Sequence, residues 1–298
     1  MAEKVTEKVL FKRPEGLTDT PFTYCSGCAH GTVHRLVAES LDDLGLTGNA
    51  VGIAPVGCSV TAYNFFNCDM AQAAHGRAPA VGTGIKRARP DSIVFAYQGD
   101  GDLAAIGTAE TVHAAARGEH ITVIFINNAI YGMTGGQMAP TTLPEQVTQT
   151  SPYGRDTHAA GYPIRVVEML SQLDGVALAQ RVTVDTPKNI RAAKRAIRKA
   201  FEYQRDGVGY TIIEVVCTCP TNWGLDPREA TAWMQENMLP YYPLGVFRDV
   251  KADGFGSIAE AAEAHRAELA ETAAAATAAT AAKAAQAAQA AAKKKGGK

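Results

Sequence analysis

The stretch Gly99-Asp100-Gly101-Asp102-Leu103, followed further on by Asn127-Asn128-Ala129-Ile130-Tyr131, decides the fold prediction for this chain. Apolar runs at 92–97 and 121–126 precede the two motifs, and both are typical of buried strands. Between them, residues 105–117 predict a helix, with Gly118 as its C-cap. Because the turns after parallel strands lie at one edge of a sheet, we expect Asp100 and Asn128 to be neighbours.

This pair of side chains suits a magnesium site. A carboxylate, an amide oxygen and a nearby backbone carbonyl are hard oxygen ligands, and Mg²⁺ bound by them keeps positions for phosphate oxygens. Gly99 and Gly101 let the backbone approach a diphosphate closely. With 25 residues between Gly101 and Asn127, the pattern resembles the thiamine diphosphate signature. An ordinary tight turn followed by an Asn-rich turn is the alternative, and the flanking strands and helix favour the cofactor.

Length and composition limit the class of protein. The 298 residues are enough for one large α/β domain with appendages or for two small domains, and 46% hydrophobic residues supply a core. A net charge of −1 gives no general attraction to nucleic acid or anionic membranes. No apolar run reaches about 18 residues, and Met1 to Leu10 lack the apolar region of a signal peptide. We therefore expect a cytoplasmic protein without membrane or nucleic-acid partners.

The rest of the pattern predicts an α/β fold, a mostly parallel sheet flanked by helices. We expect an extended lead-in at 1–20 and a long irregular segment at 131–163, with a less regular stretch at 217–250. The domain prediction is a cofactor-binding domain at 1–250 and an Ala/Lys-rich helical or frayed tail at 251–298. The remaining predicted elements are helices at 32–44, 75–87, 164–170 and 187–203, and strands at 49–55, 181–184 and 210–216, with a strand or turn at 67–69.

Six cysteines in a cytoplasmic chain indicate metal or redox chemistry before disulfides. Four of them, Cys25, Cys28, Cys58 and Cys219, would hold a [4Fe–4S] cluster or a structural Zn²⁺. Their dispersal and the Cys219-Pro220 step favour iron–sulfur. Cys217 competes with Cys219 but points to the opposite side of an extended segment. Cys68 has no partner at metal spacing, so we expect a small buried hydrophobic residue there.

Six motifs occur in an order that resembles a known family. They are Cys25-x-x-Cys28-x-His30-Gly31, Gly57-Cys58-Ser59, His75-Gly76-Arg77, Gly99-Asp100-Gly101, Asn127-Asn128 and Cys219-Pro220-Thr221-Asn222-Trp223. Together they resemble the thiamine-diphosphate-binding β subunit of 2-oxoacid:ferredoxin oxidoreductases over about residues 20 to 225. The segment Tyr131-Gly132-Met133-Thr134-Gly135-Gly136-Gln137 is most similar to the 2-oxoisovalerate and 2-oxoglutarate members. The Ala-rich tail is not part of the family pattern.

The resemblance implies the thiamine diphosphate-binding fold, with thiamine diphosphate, Mg²⁺ and a [4Fe–4S] cluster as cofactors. It implies magnesium ligation by Asp100, Asn128 and the Ile130 carbonyl, and iron ligation by the four cysteines named above. His30 has the alternative role of capping the following helix, while His75 and Arg77 would bind a phosphate or pair with a carboxylate. The cofactor-binding residues it implies are His30, Ser59, His75, Arg77, Gly99, Asp100, Gly101, Asn128, Ile130, Thr134, Gly135, Gly136 and Gln137.

The implied activity is oxidative decarboxylation of a 2-oxoacid to acyl-coenzyme A and CO2, with electrons passed to ferredoxin. No glutamate here matches the residue that activates thiamine diphosphate, so a partner α subunit is expected to supply it. No eight-cysteine segment is present, which implies γ and ferredoxin-like δ subunits. Two rivals stay open: a non-oxidative thiamine-dependent decarboxylase subunit and a non-catalytic metal-binding scaffold.

The substrate is predicted from one loop. Residues 132–142 contain no Lys or Arg to pair with an anionic side chain. Met133 and Met138 offer adaptable apolar walls. A branched-chain acid such as 2-oxoisovalerate is therefore favoured, with 2-oxoglutarate as the alternative if a partner subunit contributes a cation.

Overall fold

The computed structural model describes residues 12–295, with side chains as far as residue 283. Within them one sheet contains β1 (Ala50–Ala54), β2 (Asp69–Gln72), β3 (Ile93–Gly99), β4 (Thr122–Asn127), β5 (Val176–Thr183), β6 (Tyr210–Val216) and β7 (Gly245–Asp249). The helices are α1 (His30–Asp43), α2 (Ala62–Phe65), α3 (Ala78–Ala88), α4 (Thr108–Ala116), α5 (Thr157–Ala160), α6 (Val166–Ser171), α7 (Pro187–Arg205), α8 (Pro220–Trp223), α9 (Pro227–Trp233), α10 (Leu239–Tyr241) and α11 (Ile258–Lys295).

The strand order is β2-β1-β3-β4-β6-β5-β7, and every pairing is parallel except the one between β5 and the edge strand β7. Alternate residues of β3 face opposite layers. Phe95 and Tyr97 pack with α1 and α7, whereas Val94 and Ala96 pack with α3, α4 and α6. The predicted α/β fold, a mostly parallel sheet covered by helices, is thus confirmed. All the loops that follow the parallel strands emerge at one edge, where ligands bind in such sheets.

Several element boundaries differ from the prediction. The helix expected at 105–117 begins at Thr108, because a wide turn of π type occupies Asp102–Ile106. Strand β5 begins at Val176, five residues before the predicted start, since it is buried on both faces and lacks an alternating pattern. The segment 217–250 contains α8, α9, α10 and β7. Of the lead-in, residues 1–11 lie outside the described residues.

A buried ion network joins β5 to β6 beneath the site edge. Arg181 is 1% exposed and donates to Glu214 at 2.9 Å, and its guanidinium also pairs with Glu168. Burial raises the pKa of Glu214, and Arg181 opposes that shift. Glu214 also accepts a 2.7 Å hydrogen bond from Asn127 at the end of β4. The network therefore supports the turn that begins at Asn127.

Replacing Arg181 by methionine is expected to lower the free energy of unfolding by about 3–5 kcal/mol, because Glu214 would be left as an unpaired buried carboxylate. Chemical denaturation measures this change. Arg191→Met is the matched control, since Arg191 is exposed. Adding Glu214→Gln to Arg181→Met should recover part of the loss. An Arg181→Met protein as stable as the control would contradict the assignment.

The Ala-rich segment forms one continuous helix, α11, where the sequence predicted a helical or frayed tail. Ile258 packs beside Gly118 and Gly209, and Ala261 is buried, but every side chain from Glu263 to Lys283 is exposed. The division of the chain at residue 250 stays a prediction. Within the described residues, no helix combines the length and apolar character needed to cross a membrane.

Candidate functional site

Four loops meet at the carboxyl edge of the sheet. They follow β1, β3, β4 and β6, while the loop after β2 contributes His75 and the amino end of α1 joins them. Two neighbouring cavities lie between these loops, one around Asp100 and one around the cysteines, and we refer to them as the Asp100 cavity and the cysteine cavity. His30, Cys58, Asn128, Gly132 and Met133 line both.

Asp100 lies at the floor of the Asp100 cavity and is 3% exposed. Its carboxylate accepts hydrogen bonds from the Gly101 amide at 2.8 Å, the Ile130 amide at 3.1 Å and the Thr141 hydroxyl at 2.7 Å. Burial raises the pKa of Asp100 to about 6, and these three donors oppose the shift. Its bond to Ile130 confirms that the turns after β3 and β4 meet. A cation beside the carboxylate would favour its charged form further.

Asn128 belongs to a turn that is stabilised by hydrogen bonds of the preceding residue, Asn127. Asn127 bonds Glu214 through its amide nitrogen and accepts the Ala129 amide at 3.2 Å, and Ala129 has a φ of 58°. The side-chain oxygen of Asn128 is buried and has no hydrogen-bond partner among the described residues. A buried amide oxygen without a partner is costly unless a ligand satisfies it. Its place on the same cavity as Asp100 fits a magnesium ion.

The walls of the Asp100 cavity also fit a diphosphate. A Cβ added at Gly57 or Gly99 would have no atom within 4 Å, so the backbone is open to a ligand at both positions. The Ser59 hydroxyl is buried without a partner in the described part of the chain. Of the predicted cofactor residues, the cavity is lined by His30, Ser59, His75, Gly99, Asp100, Gly101, Asn128, Ile130 and Thr134.

The other predicted cofactor residues, Arg77, Gly135, Gly136 and Gln137, do not line this cavity. Gly135 and Gly136 have φ values of 107° and 94°, and Gln137 is hydrogen-bonded to Thr134. Arg77 pairs with Glu110. His75 Nδ1 donates to the Asp102 carboxylate at 2.5 Å, and His75 also lines the cavity. Both residues therefore make the carboxylate contacts that the sequence left open as an alternative to phosphate binding, and their phosphate role stays a prediction.

His30 is the first residue of α1, but its side chain does not cap the helix. Its Nδ1 is 2.9 Å from the Tyr97 hydroxyl, and its ring stacks on Tyr24 with centroids 4.8 Å apart. The capping alternative is therefore wrong. Burial lowers the pKa of His30 to about 4, so the imidazole is neutral at pH 7. It separates the two cavities as an uncharged group.

All four predicted iron ligands line the cysteine cavity. A Cβ added at Gly132 would lie 3.4 Å from Cys58 Sγ and 3.5 Å from Cys219 Sγ, so these two sulfurs approach the same backbone position. Cys25 and Cys28 share a turn in which the Cys28 amide donates to the Cys25 carbonyl at 3.1 Å. No group of three or more His, Cys, Asp or Glu in the described chain is arranged around a single metal ion.

Three of these sulfurs lie at the starts of helical turns. Cys28 precedes α1, Cys58 opens the 3₁₀ turn Cys58–Thr61, and Cys219 is the N-cap of α8. Burial raises the pKa of Cys28 to about 12 and that of Cys58 to about 11. Metal coordination deprotonates such thiols outright, and amide donors then stabilise the thiolates.

The other two cysteines lie elsewhere. Cys217 is 3% exposed within the core on the α1 and α7 side of the sheet, and burial raises its pKa well above the usual value. Cys68 is half-buried and packs against Met70 at 3.8 Å between the sulfurs. Neither residue lines the cysteine cavity, and their exclusion from iron binding stays a prediction.

Three site residues were missed from the sequence. Thr141 donates a hydrogen bond to Asp100, and Asn222 donates one to Cys219. The Tyr131 ring covers Gly101 so closely that a Cβ added at Gly101 would lie 2.0 Å from that ring. Thr141 and Tyr131 lie in the irregular segment, whose length of more than about 15 residues was the available indication of function. Asn222 follows the Cys-Pro step in a quoted motif but had no assigned role.

Comparison with known proteins identifies the family. The model of the thiamine pyrophosphate enzyme C-terminal TPP binding domain matches residues 54–215. The 2-oxoglutarate synthase subunit KorB of Methanocaldococcus jannaschii is 34% identical over 225 residues, covering 74% of this chain and 79% of that one. The chain belongs to the thiamine-diphosphate-binding subunits of the 2-oxoacid:ferredoxin oxidoreductases. The predicted resemblance is thus confirmed.

A second relative within this oxidoreductase family is more similar but longer. The ketoisovalerate oxidoreductase subunit VorA of Methanothermobacter thermautotrophicus is 50% identical over 258 residues, which are 85% of this chain and 54% of that protein. The chain therefore spans about half the length of the VorA subunits that it matches.

A solved structure shares the fold of this family. It is a 2-oxoglutarate:ferredoxin oxidoreductase from Magnetococcus marinus with 2-oxoglutarate, coenzyme A and succinyl-CoA bound. Its TM-score is 0.68 at 24% identity, with 88% of this chain and 92% of that chain covered. This likeness supports the thiamine diphosphate-binding fold.

Proposed function

We propose that this chain is the catalytic β subunit of a 2-oxoacid:ferredoxin oxidoreductase that converts a 2-oxoacid to acyl-coenzyme A and CO2. The observation that best supports this function is that the Asp100 cavity and the cysteine cavity are adjacent. One is lined by Asp100, Asn128 and Ile130, whose side-chain and carbonyl oxygens we propose as magnesium ligands, and the other is lined by four cysteines. Because five residues line both, electrons would have only a short distance to travel between their occupants.

Each group in the two cavities has a role in this proposal. When bound, thiamine diphosphate supplies the reactive carbon for the 2-oxo group, and the [4Fe–4S] cluster accepts the electrons singly. Asp100, Asn128 and the Ile130 carbonyl hold Mg²⁺ against the diphosphate. Ser59, whose hydroxyl has no hydrogen-bond partner among the described residues, would donate it to a phosphate oxygen. His30, neutral and fixed by Tyr97, closes the space between the cofactors without adding charge.

Other subunits complete the enzyme in this proposal. The described residues that line the Asp100 cavity include no glutamate. We infer that an α subunit supplies the glutamate that activates the cofactor, and that γ and ferredoxin-like δ subunits, ferredoxin and coenzyme A complete the system. All six cysteines are free, which suits the reducing cytoplasm that we propose as the location.

The favoured substrate is 2-oxoisovalerate. The residues described as lining the two cavities include no Lys or Arg, and the Met133 side chain, 52% exposed, is available as an apolar wall. The 50% identity to a ketoisovalerate oxidoreductase subunit, against 34% to 2-oxoglutarate synthase subunits, supports the same choice. A cation from a partner subunit would instead favour 2-oxoglutarate.

The complex reconstituted with its partner subunits is expected to form acyl-coenzyme A with a higher kcat/KM for 2-oxoisovalerate than for 2-oxoglutarate. A missing cation leaves the second carboxylate of 2-oxoglutarate unpaired, so we expect a preference of at least about tenfold. Initial rates with each acid at equal concentration measure the preference. The reverse preference would overturn the substrate and leave the reaction class intact.

The visible spectrum of the anaerobically purified protein tests the reaction class. A broad brown absorption with about four irons per chain is the expected result. A colourless protein that binds thiamine diphosphate would favour a non-oxidative decarboxylase subunit. A colourless protein with one zinc would favour a metal-binding scaffold.

A further inference from the structure

Asn222 connects the cysteine cavity to the loop that follows β4. Its side-chain nitrogen donates to Cys219 Sγ at 3.3 Å and to the Gly132 carbonyl at 2.8 Å. An asparagine amide has two hydrogens, and these two acceptors use both of them. The carbonyl contact thus fixes the orientation in which the other hydrogen points at sulfur.

The position of Asn222 is enforced by close packing. A Cβ added at Gly136, where φ is 94°, would lie 3.3 Å from both Cβ and Oδ1 of Asn222. The loop from Tyr131 to Gln137 therefore lies directly against Asn222 and restrains its side chain.

We propose that Asn222 is a positioning residue that holds the Cys219 thiolate toward the cluster and raises the reduction potential of that cluster. Hydrogen bonds to the ligand sulfurs stabilise the more negative, reduced form and so raise the potential. This inference rests on the proposed function, because it requires the iron–sulfur cluster in the cysteine cavity.

Replacement of Asn222 by leucine tests the proposal in the anaerobically purified holoprotein. The side chain keeps its approximate size and loses both donors. We expect iron content to be retained and the midpoint potential, from a redox titration followed by electron paramagnetic resonance, to move in the negative direction. Asn237→Leu is the matched control, because exposed Asn237 donates to the Trp233 carbonyl, away from the sulfurs. Its potential should equal that of the wild type.

The outcomes separate this inference from the proposed function. A wild-type protein without iron would overturn both. An Asn222→Leu protein with iron and an unchanged potential would overturn this inference alone. If Asn222→Leu does not fold, Asn222→Asp keeps the shape and replaces the donor by an acceptor, and its potential should also be more negative. A folded variant that binds thiamine diphosphate but holds no iron would contradict the expected retention of the cluster and overturn the proposal, as would unfolding of both variants.

Discussion

Asp100→Ala and Asn128→Ala are each expected to abolish Mg²⁺-dependent binding of thiamine diphosphate. Asp100 supplies the buried carboxylate of the Asp100 cavity, and Asn128 supplies the buried amide oxygen that has no partner in the described residues. Replacing a residue that only hydrogen-bonds to a metal ligand already lowers metal affinity by about 10–100-fold. We therefore expect replacement of a direct ligand to lower cofactor affinity by more than about 100-fold. Calorimetric titration of the cofactor at saturating Mg²⁺ measures the loss.

Two comparisons make this result specific. Asp69→Ala removes an exposed carboxylate on β2 and should leave cofactor affinity unchanged. The iron content of Asp100→Ala and Asn128→Ala should equal that of the wild type, because the cysteine cavity keeps its four sulfurs. Unchanged cofactor affinity in either variant would remove the magnesium assignment.

The second large effect is expected from the cysteines. Serine at position 25, 28, 58 or 219 should lower the iron content from about four atoms per chain to a small fraction, because each thiolate is expected to hold one iron. All four sulfur-bearing residues line the cysteine cavity. Iron determination and the visible spectrum of anaerobically purified protein report the loss.

Cys68→Ser and Cys217→Ser are the controls, and both should retain iron. Cys68 packs against Met70, and Cys217 is buried in the core on the α1 and α7 side. Cys217→Ser is expected to lower stability by about 1–3 kcal/mol, since a hydroxyl would be buried without an assured partner. Cluster loss in Cys217→Ser together with retention in Cys219→Ser would show that the other thiol is the ligand.

The sequence alone determined the central unit of the fold and indicated many of the residues that line the two cavities. The runs before Asp100 and Asn128 are local patterns, and the rule for parallel connections then brings their turns together. The ordered cysteine and glycine motifs were sufficient to indicate the family. The start of β5 was harder to delimit, because its apolar part Val176–Ala179 shows no alternation and is followed by the polar pair Gln180 and Arg181, although the strand is buried on both faces.

Only the tertiary structure decided which side chains form hydrogen bonds and ion pairs with one another across the site. Thr141 donates to Asp100, and Arg77 pairs with Glu110. The Asn222 side chain contacts Cys219 and also Gly132, which is 90 positions before Asn222 in the chain. Such contacts depend on how loops from different strands pack at the sheet edge. No periodicity or local spacing encodes them, because each needs two distant segments to be placed within about 3 Å of each other.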